Sequence, residues 1–116
     1  MKSKSVLQIL EKVRDILSRP GTGLEGSSWI KNKFLKRVQG KNCYCLEGAL
    51  MRATCNDEFS TKFYQVRTLL TETLPKVKAP YRANIIEWND HPRRTYPQVI
   101  RLLGRAIARA KKAQAE

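Results

Sequence analysis

The sequence predicts a mainly α domain of four to five helices with a short β-hairpin around residues 33-45, and three observations carry that prediction. Apolar residues recur at helical spacing in three long stretches, Pro and Gly punctuate the chain between them, and a single region has strand-like composition. A chain of 116 residues suits one domain spanning 1-116. At this size roughly two thirds of the unfolded surface can be buried, enough for a core without covalent staples.

The first helix is expected over residues 5-18, where Val6, Ile9, Leu10, Val13, Ile16 and Leu17 line one face. Ser5 and Gln8 match a capping box, and Pro20-Gly21 stop the helix. Residues 20-28 read as a flexible connector: their glycines follow no predicted strand, and no Lys-Ser or Lys-Thr pair makes them a phosphate loop. In the stretch from Trp29 to Tyr44, Phe34, Leu35 and Val38 precede a Gln39-Gly40-Lys41-Asn42 turn and the Cys43-Tyr44-Cys45 return.

A short buried helix follows over residues 46-54. Cys45, Ala49 and Ala53 lie four apart and give it a narrow face of small groups, flanked by Leu46 and Leu50. A third helix is expected over residues 60-74, with Phe59, Phe63, Val66, Leu69, Leu70 and Leu74 inward and Pro75 ending it. Residues 75-94 form an irregular connection in which Ile85, Ile86 and Trp88 enter the core, with room for a further short helix; Asp90-His91-Pro92 reads as a turn. The last helix starts at a second capping box, Thr95 and Gln98, with Pro97 in its first turn. Val99, Leu103, Ala106, Ile107 and Ala110 form its apolar stripe, opposite Arg101, Arg105, Arg109 and Lys112.

Charge is the unusual quantity. Lys and Arg number 23 against 10 Asp and Glu, a net charge of +13 that attracts anionic partners. It is concentrated in two segments: Lys31, Lys33, Lys36, Arg37 and Lys41 in the first, and Arg93, Arg94, Arg101, Arg105, Arg109, Lys111 and Lys112 in the second. Lysine and arginine release counterions from phosphates, and an exposed aromatic among Trp29, Phe34 and Tyr44 could stack on an unpaired base. The competing reading is a solvated helix face, with those aromatics packed in the core. No RNP signature, zinc-finger spacing or KH-type loop accompanies the charge, and a helix-turn-helix leaves too weak a trace to judge.

Cys43, Cys45 and Cys55 are too few and too uneven for a disulfide scaffold, and the charged start is no signal peptide. A soluble protein of a reducing, cytoplasmic compartment with free thiols is expected, with no membrane span. Cys43-x-Cys45 with Cys55 and His91 does not have zinc spacing, so neither a metal nor another cofactor is expected. Cys45 at a helix start, with His91 as base and Asn89 or Asp90 orienting it, is the enzyme alternative. A buried Cys45 acting as a small apolar group is the structural one. Trp88-Asn89-Asp90 reads most simply as a core aromatic followed by turn formers, and alternatively as a polar site at a pocket mouth.

Cys45-Leu46-Glu47-Gly48-Ala49-Leu50, Trp88-Asn89-Asp90, Thr95 and the terminal Ala106-Ile107-x-x-Ala110 pattern together resemble a family of small uncharacterised proteins of bacteria and their phages. The family brings no known activity. The resemblance implies a structural centre made of Cys45, Gly48, Ala49, Trp88, Asn89, Asp90 and Thr95, the tryptophan, asparagine and aspartate forming a turn. His91 and the strong basicity stand outside the pattern.

Three functions follow as expectations. The first is a small, non-enzymatic, basic accessory protein that binds nucleic acid through residues 31-41 and 93-112. The second is an interaction protein or inhibitor, of phage origin, docking on an acidic surface of a host protein. The third is a small cysteine-dependent enzyme.

Overall fold

The computed structural model describes residues 5–54, 61–75 and 84–115. In chain order these form α1 (Val6–Ser18), a hairpin of β1 (Leu35–Val38) and β2 (Lys41–Tyr44), α2 (Leu46–Ala53), α3 (Thr61–Thr73), α4 (Ile85–Asp90) and α5 (Tyr96–Ala115). The mainly helical class and the hairpin are as expected. No described helix is long and apolar enough to cross a membrane. Cys55, Phe59, Ser60 and most of the connection before residue 84 lie outside the described residues.

The core is the set of apolar faces turned toward one another. From α1 come Ile9, Leu10, Val13, Ile16 and Leu17, all buried. Phe63, Val66 and Leu70 enter from α3, and Val99, Leu102, Leu103, Ala106, Ile107 and Ala110 from α5. The helix α1 packs on both α2 and α5, and α3 closes against α5. Its start is fixed by the Ser5–Gln8 box: Ser5 Oγ accepts from Gln8 N at 3.1 Å, and Gln8 Oε1 from Ser5 N at 2.9 Å.

At α5 only half of the expected box forms. Gln98 Oε1 accepts from Thr95 N at 3.0 Å, but the Thr95 hydroxyl has no hydrogen bond among the described residues. The other cap comes from a distance, as Glu25 Oε2 accepts from Tyr96 N. Residues 20–28, expected as a flexible connector, are a folded loop that delivers this carboxylate. Gly21 N donates to Gly26 O, Gly23 N to Ser27 O and Leu24 N to Trp29 O, and Ser28 N ties the loop back to Leu17 O. Consecutive positive φ values at Glu25 and Gly26 make the tight turn. A carboxylate at a helix N-terminus meets both free N–H groups and the positive end of the dipole.

The hairpin turn is shorter than the four-residue turn read from the sequence. Gln39 (φ 51) and Gly40 (φ 78) alone reverse the chain, so Lys41 and Asn42 already belong to β2, opposite Val38 and Arg37. Two positive φ values in a two-residue loop are the type I′ arrangement whose twist matches antiparallel strands. The hairpin is anchored at its base, where Ile30 N donates to Tyr44 O and Tyr44 N to Ser28 O, and on its flank, where Thr22 Oγ1 donates to Val38 O.

The first turn of α2 presses against the chain entering β1. Cys45 Sγ accepts from Gly48 N at 3.3 Å and caps the helix, while Cys45 N donates to Phe34 O. A Cβ on Gly48 would lie 1.8 Å from Phe34 O. Gly48 is therefore a close-approach glycine rather than a conformational one. One residue earlier, the buried Glu47 reaches α3, where Arg67 Nε stands 3.0 Å from its Oε1. Burial pushes the Glu47 carboxyl above its ordinary value, and Arg67 offsets only part of that effect.

The start of α2 can be tested at two positions. Gly48→Ala gains helix propensity but forces the Phe34 carbonyl away, so it should destabilise the fold by about 3 kcal/mol in urea titrations; an unchanged midpoint would show that the loop yields freely. For Glu47, the raised folded-state pKa means that the folded protein holds its proton to higher pH than the unfolded chain. Its contribution to stability is fully present below the ordinary carboxyl pKa and falls as pH rises toward the folded value, by at most about 1.4 kcal/mol per pH unit. Glu47→Gln should remove that fall, so the stability difference between variant and parent grows in the variant's favour across the interval.

Candidate functional site

Three chain segments meet at the side chain of Asn89, which has no exposed surface. Its Oδ1 accepts from Trp29 Nε1 at 2.6 Å and from Leu46 N, the first residue of α2, at 3.1 Å. Its Nδ2 donates to Ile30 O at 3.1 Å and to Asp90 Oδ1 at 3.0 Å. Both acceptor sites and both donors of the amide are thus used. Asp90 Oδ1 also accepts from Asn32 N at 2.8 Å, where a positive φ at Asn32 turns the chain toward the hairpin.

Trp88-Asn89-Asp90 is not the turn the sequence suggested. Asn84 Oδ1 accepts from Glu87 N at 2.8 Å and starts α4, which runs through all three residues. The reversal comes later: His91 is extended (ψ 133), as a residue before proline prefers, and Arg94 N closes a turn on His91 O. Trp88 and Ile85 are buried as expected, whereas Ile86 is only partly so.

The residues of the resemblance fall around this hub. Trp88, Asn89 and Asp90 share α4, Cys45 and Gly48 form the start of α2, and the buried Ala49 lies in the next turn. Thr95 stands apart, immediately before α5.

Cys45 is only 3% exposed, and burial pushes its thiol up to about 11, against the lowering effect of the Gly48 N–H. At neutral pH it is a protonated cap rather than a thiolate. His91 is exposed, its Nδ1 accepts from Arg93 N at 3.1 Å, and among the described residues it makes no hydrogen bond to Cys45. Asn89 and Asp90, the residues read as orienting His91, are committed to the hub instead.

The basic residues divide into three groups. Lys33, Lys36, Arg37 and Lys41 are exposed on the hairpin and its approach. Phe34 (47% exposed) and Leu35 (54%) stand among them, contrary to the expectation that Phe34 packs inside with Trp29. It is the Phe34 backbone, not its side chain, that packs against α2 at Gly48. Strand alternation places Leu35 and Arg37 on one face, opposite Tyr44 and Asn42, while Cys43 is buried on the other.

Lys31 forms the second group, with Nζ donating to Pro92 O at 3.1 Å and standing 5.5 Å from the Trp29 ring centroid. This joins the start of the first basic segment to the turn carrying Arg93 and Arg94. The third group lies along α5. Arg101 and Arg105 share a cleft with Arg94 and Trp88, whereas Arg109 Nη1 donates to Thr73 Oγ1 and so helps hold α3 to α5. Lys111 and Lys112 are exposed near the helix end. Sequence reasoning does not find Glu25, Glu47 and Arg67 as structural partners, because each acts on a group far away along the chain.

The hub makes a sharp prediction. Asn89→Asp keeps the shape but turns two donors into acceptors facing Ile30 O and the Asp90 carboxylate, at a cost of about 3 kcal/mol or more at neutral pH. Urea unfolding at neutral pH measures it, and a cost below about 1 kcal/mol would mean that the hub does not hold the segments together.

No curated protein and no solved structure matches the chain. A family model does, over residues 1–109, and the chain accordingly belongs to a family of unknown function, DUF6197.

Proposed function

We propose that the protein is a small, non-enzymatic accessory protein that binds nucleic acid through its hairpin and the neighbouring cationic rim. The observation that carries this reading is the hairpin surface: Phe34 and Leu35 exposed among Lys33, Lys36, Arg37 and Lys41, with no acidic residue from position 26 to position 46. Cations supply affinity for any phosphate backbone, and an exposed ring adds a platform for an unpaired base. A two-stranded ribbon is also narrow enough to enter the duplex major groove. Arg93, Arg101, Arg105, Arg109 and Lys112 extend the positive field without needing to touch the ligand.

Binding should be read by fluorescence anisotropy with single-stranded and duplex probes across a salt series. Affinity should fall steeply with salt. The variant K36Q/R37Q/K41Q should weaken binding to every sequence and reduce the salt slope by about one for each phosphate that is no longer neutralised. Phe34→Ala should weaken single-strand binding by about 1–3 kcal/mol and duplex binding much less. If no DNA or RNA probe binds at low salt, this reading is finished. The alternative of an inhibitor, phage-encoded and docking on an acidic host protein, then takes its place; a complex surviving nuclease and dissociating with salt would identify it.

A further inference from the structure

The cleft beside α4 has a character distinct from the hairpin surface. Its volume is about 200 Å³, and Trp88, Arg94, Gln98, Arg101, Leu102 and Arg105 make up most of its wall. Three arginines line it, with no carboxylate among the lining residues. Arg101 and Arg105 are one helical turn apart, a like-charge arrangement that disfavours α5 in the absence of a counterion. Among the described residues neither forms an ion pair.

Arg94 is held more firmly than a surface arginine. Its Nε donates to Trp88 O at 2.8 Å, and its guanidinium lies 4.0 Å above the Trp88 ring. These contacts fix the plane of the group and leave its two Nη atoms as donors. Partial burial draws its pKa down, the mark of a cation that has lost hydration without gaining a carboxylate. Gln98 contributes in the same sense: its Oε1 is engaged by Thr95 N, which leaves the Nε2 donors for a ligand. An aromatic floor, a fixed guanidinium fork and two further arginines match the oxygens of a doubly charged phosphate better than a single carboxylate, which could satisfy only one fork.

We infer that this cleft is a phosphate-binding site in which Arg94, Arg101 and Arg105 hold a terminal phosphomonoester or a free phosphate or pyrophosphate. The site does not depend on the hairpin reading. Two sources supply the same chemistry, a free small phosphate and the 5′ end of a nucleic acid chain, and the experiment separates them.

The full-length protein is titrated with inorganic phosphate and pyrophosphate by calorimetry, and by NMR of the Trp88 indole and Arg94 Nε resonances. Matched oligonucleotides with a 5′-phosphate or a 5′-hydroxyl are titrated in parallel. Both resonances should shift saturably with pyrophosphate. R101Q/R105Q should weaken pyrophosphate binding by about tenfold or more without lowering the unfolding midpoint, since both side chains are exposed and form no ion pair among the described residues. Lys111→Gln, exposed and outside the cleft, should leave pyrophosphate binding unchanged, and so should the hairpin variant K36Q/R37Q/K41Q.

A 5′-phosphate that improves oligonucleotide binding in the parent but not in R101Q/R105Q assigns the site to chain ends. Pyrophosphate binding without that gain assigns it to free phosphates. The proposal is overturned if none of these ligands binds saturably, or if Lys111→Gln weakens pyrophosphate binding as much as R101Q/R105Q. Loss of oligonucleotide binding in the hairpin variant alone leaves this site standing, so the two readings fail separately.

Discussion

The carboxamide of Asn89 is the polar contact on which the positions of the other elements depend. A buried amide is costly unless all its hydrogen-bonding capacity is used, and here four partners use it. Each partner belongs to a different structural task. Trp29 Nε1 anchors the largest core side chain, Ile30 O fixes the strand-like segment beneath the hairpin, Leu46 N begins α2, and Asp90 leads to Asn32. Unlike apolar packing, which tolerates sliding, such contacts specify one arrangement. The hub therefore sets where the hairpin leaves the helical body and how α2 is aimed.

From this constraint the surface features follow. With α2 aimed at the chain before β1, only glycine at position 48 leaves room for the Phe34 carbonyl. That contact holds the Phe34 backbone in place and leaves its ring in solvent beside the hairpin cations. On the other side of the hub, α4 carries Trp88 next to Asn89, and Arg94 folds back onto Trp88. The exposed ring at the hairpin and the guanidinium in the cleft are both positioned by backbone that the same amide orders.

How much of this is legible in the sequence depends on the range of the contact. The long helices are, because their cause is local: Ile9, Leu10, Val13, Ile16 and Leu17 repeat at helical spacing, and the Ser5–Gln8 box closes within four residues. The C-x-x-G-A-L and W-N-D segments stand out as a pattern without revealing what they do, since Asn89 works on atoms some 43 to 60 residues away. The W-N-D segment looks like a turn because Asn and Asp favour turns; the Asn84 cap and the Pro92 stop instead place it inside a helix. Phe34 looks like core because phenylalanine usually is, yet here its backbone rather than its ring meets a glycine fourteen positions later. The folded Gly-rich loop escapes notice for the same reason, as Glu25 finds its partner at Tyr96.

The distribution of acids gives the charge its meaning. A net charge of +13 repels itself and works against the folded state. Among the described residues, four acids that could relieve it are engaged within the scaffold. Glu25 caps α5, Glu47 pairs with Arg67, Asp90 binds Asn32 and Asn89, and Asp15 pairs with Arg19 one turn away. Among the described residues none of these carboxylates pairs with Lys33, Lys36, Arg37, Lys41, Arg101 or Arg105. A surface shaped only by solubility would intersperse the two signs. Here Glu25, Glu47 and Asp90 are taken up by backbone donors and a half-buried pair, and the hairpin and the cleft lining carry cations without a paired acid among the described residues, an arrangement that becomes favourable when an anionic partner supplies the missing charge.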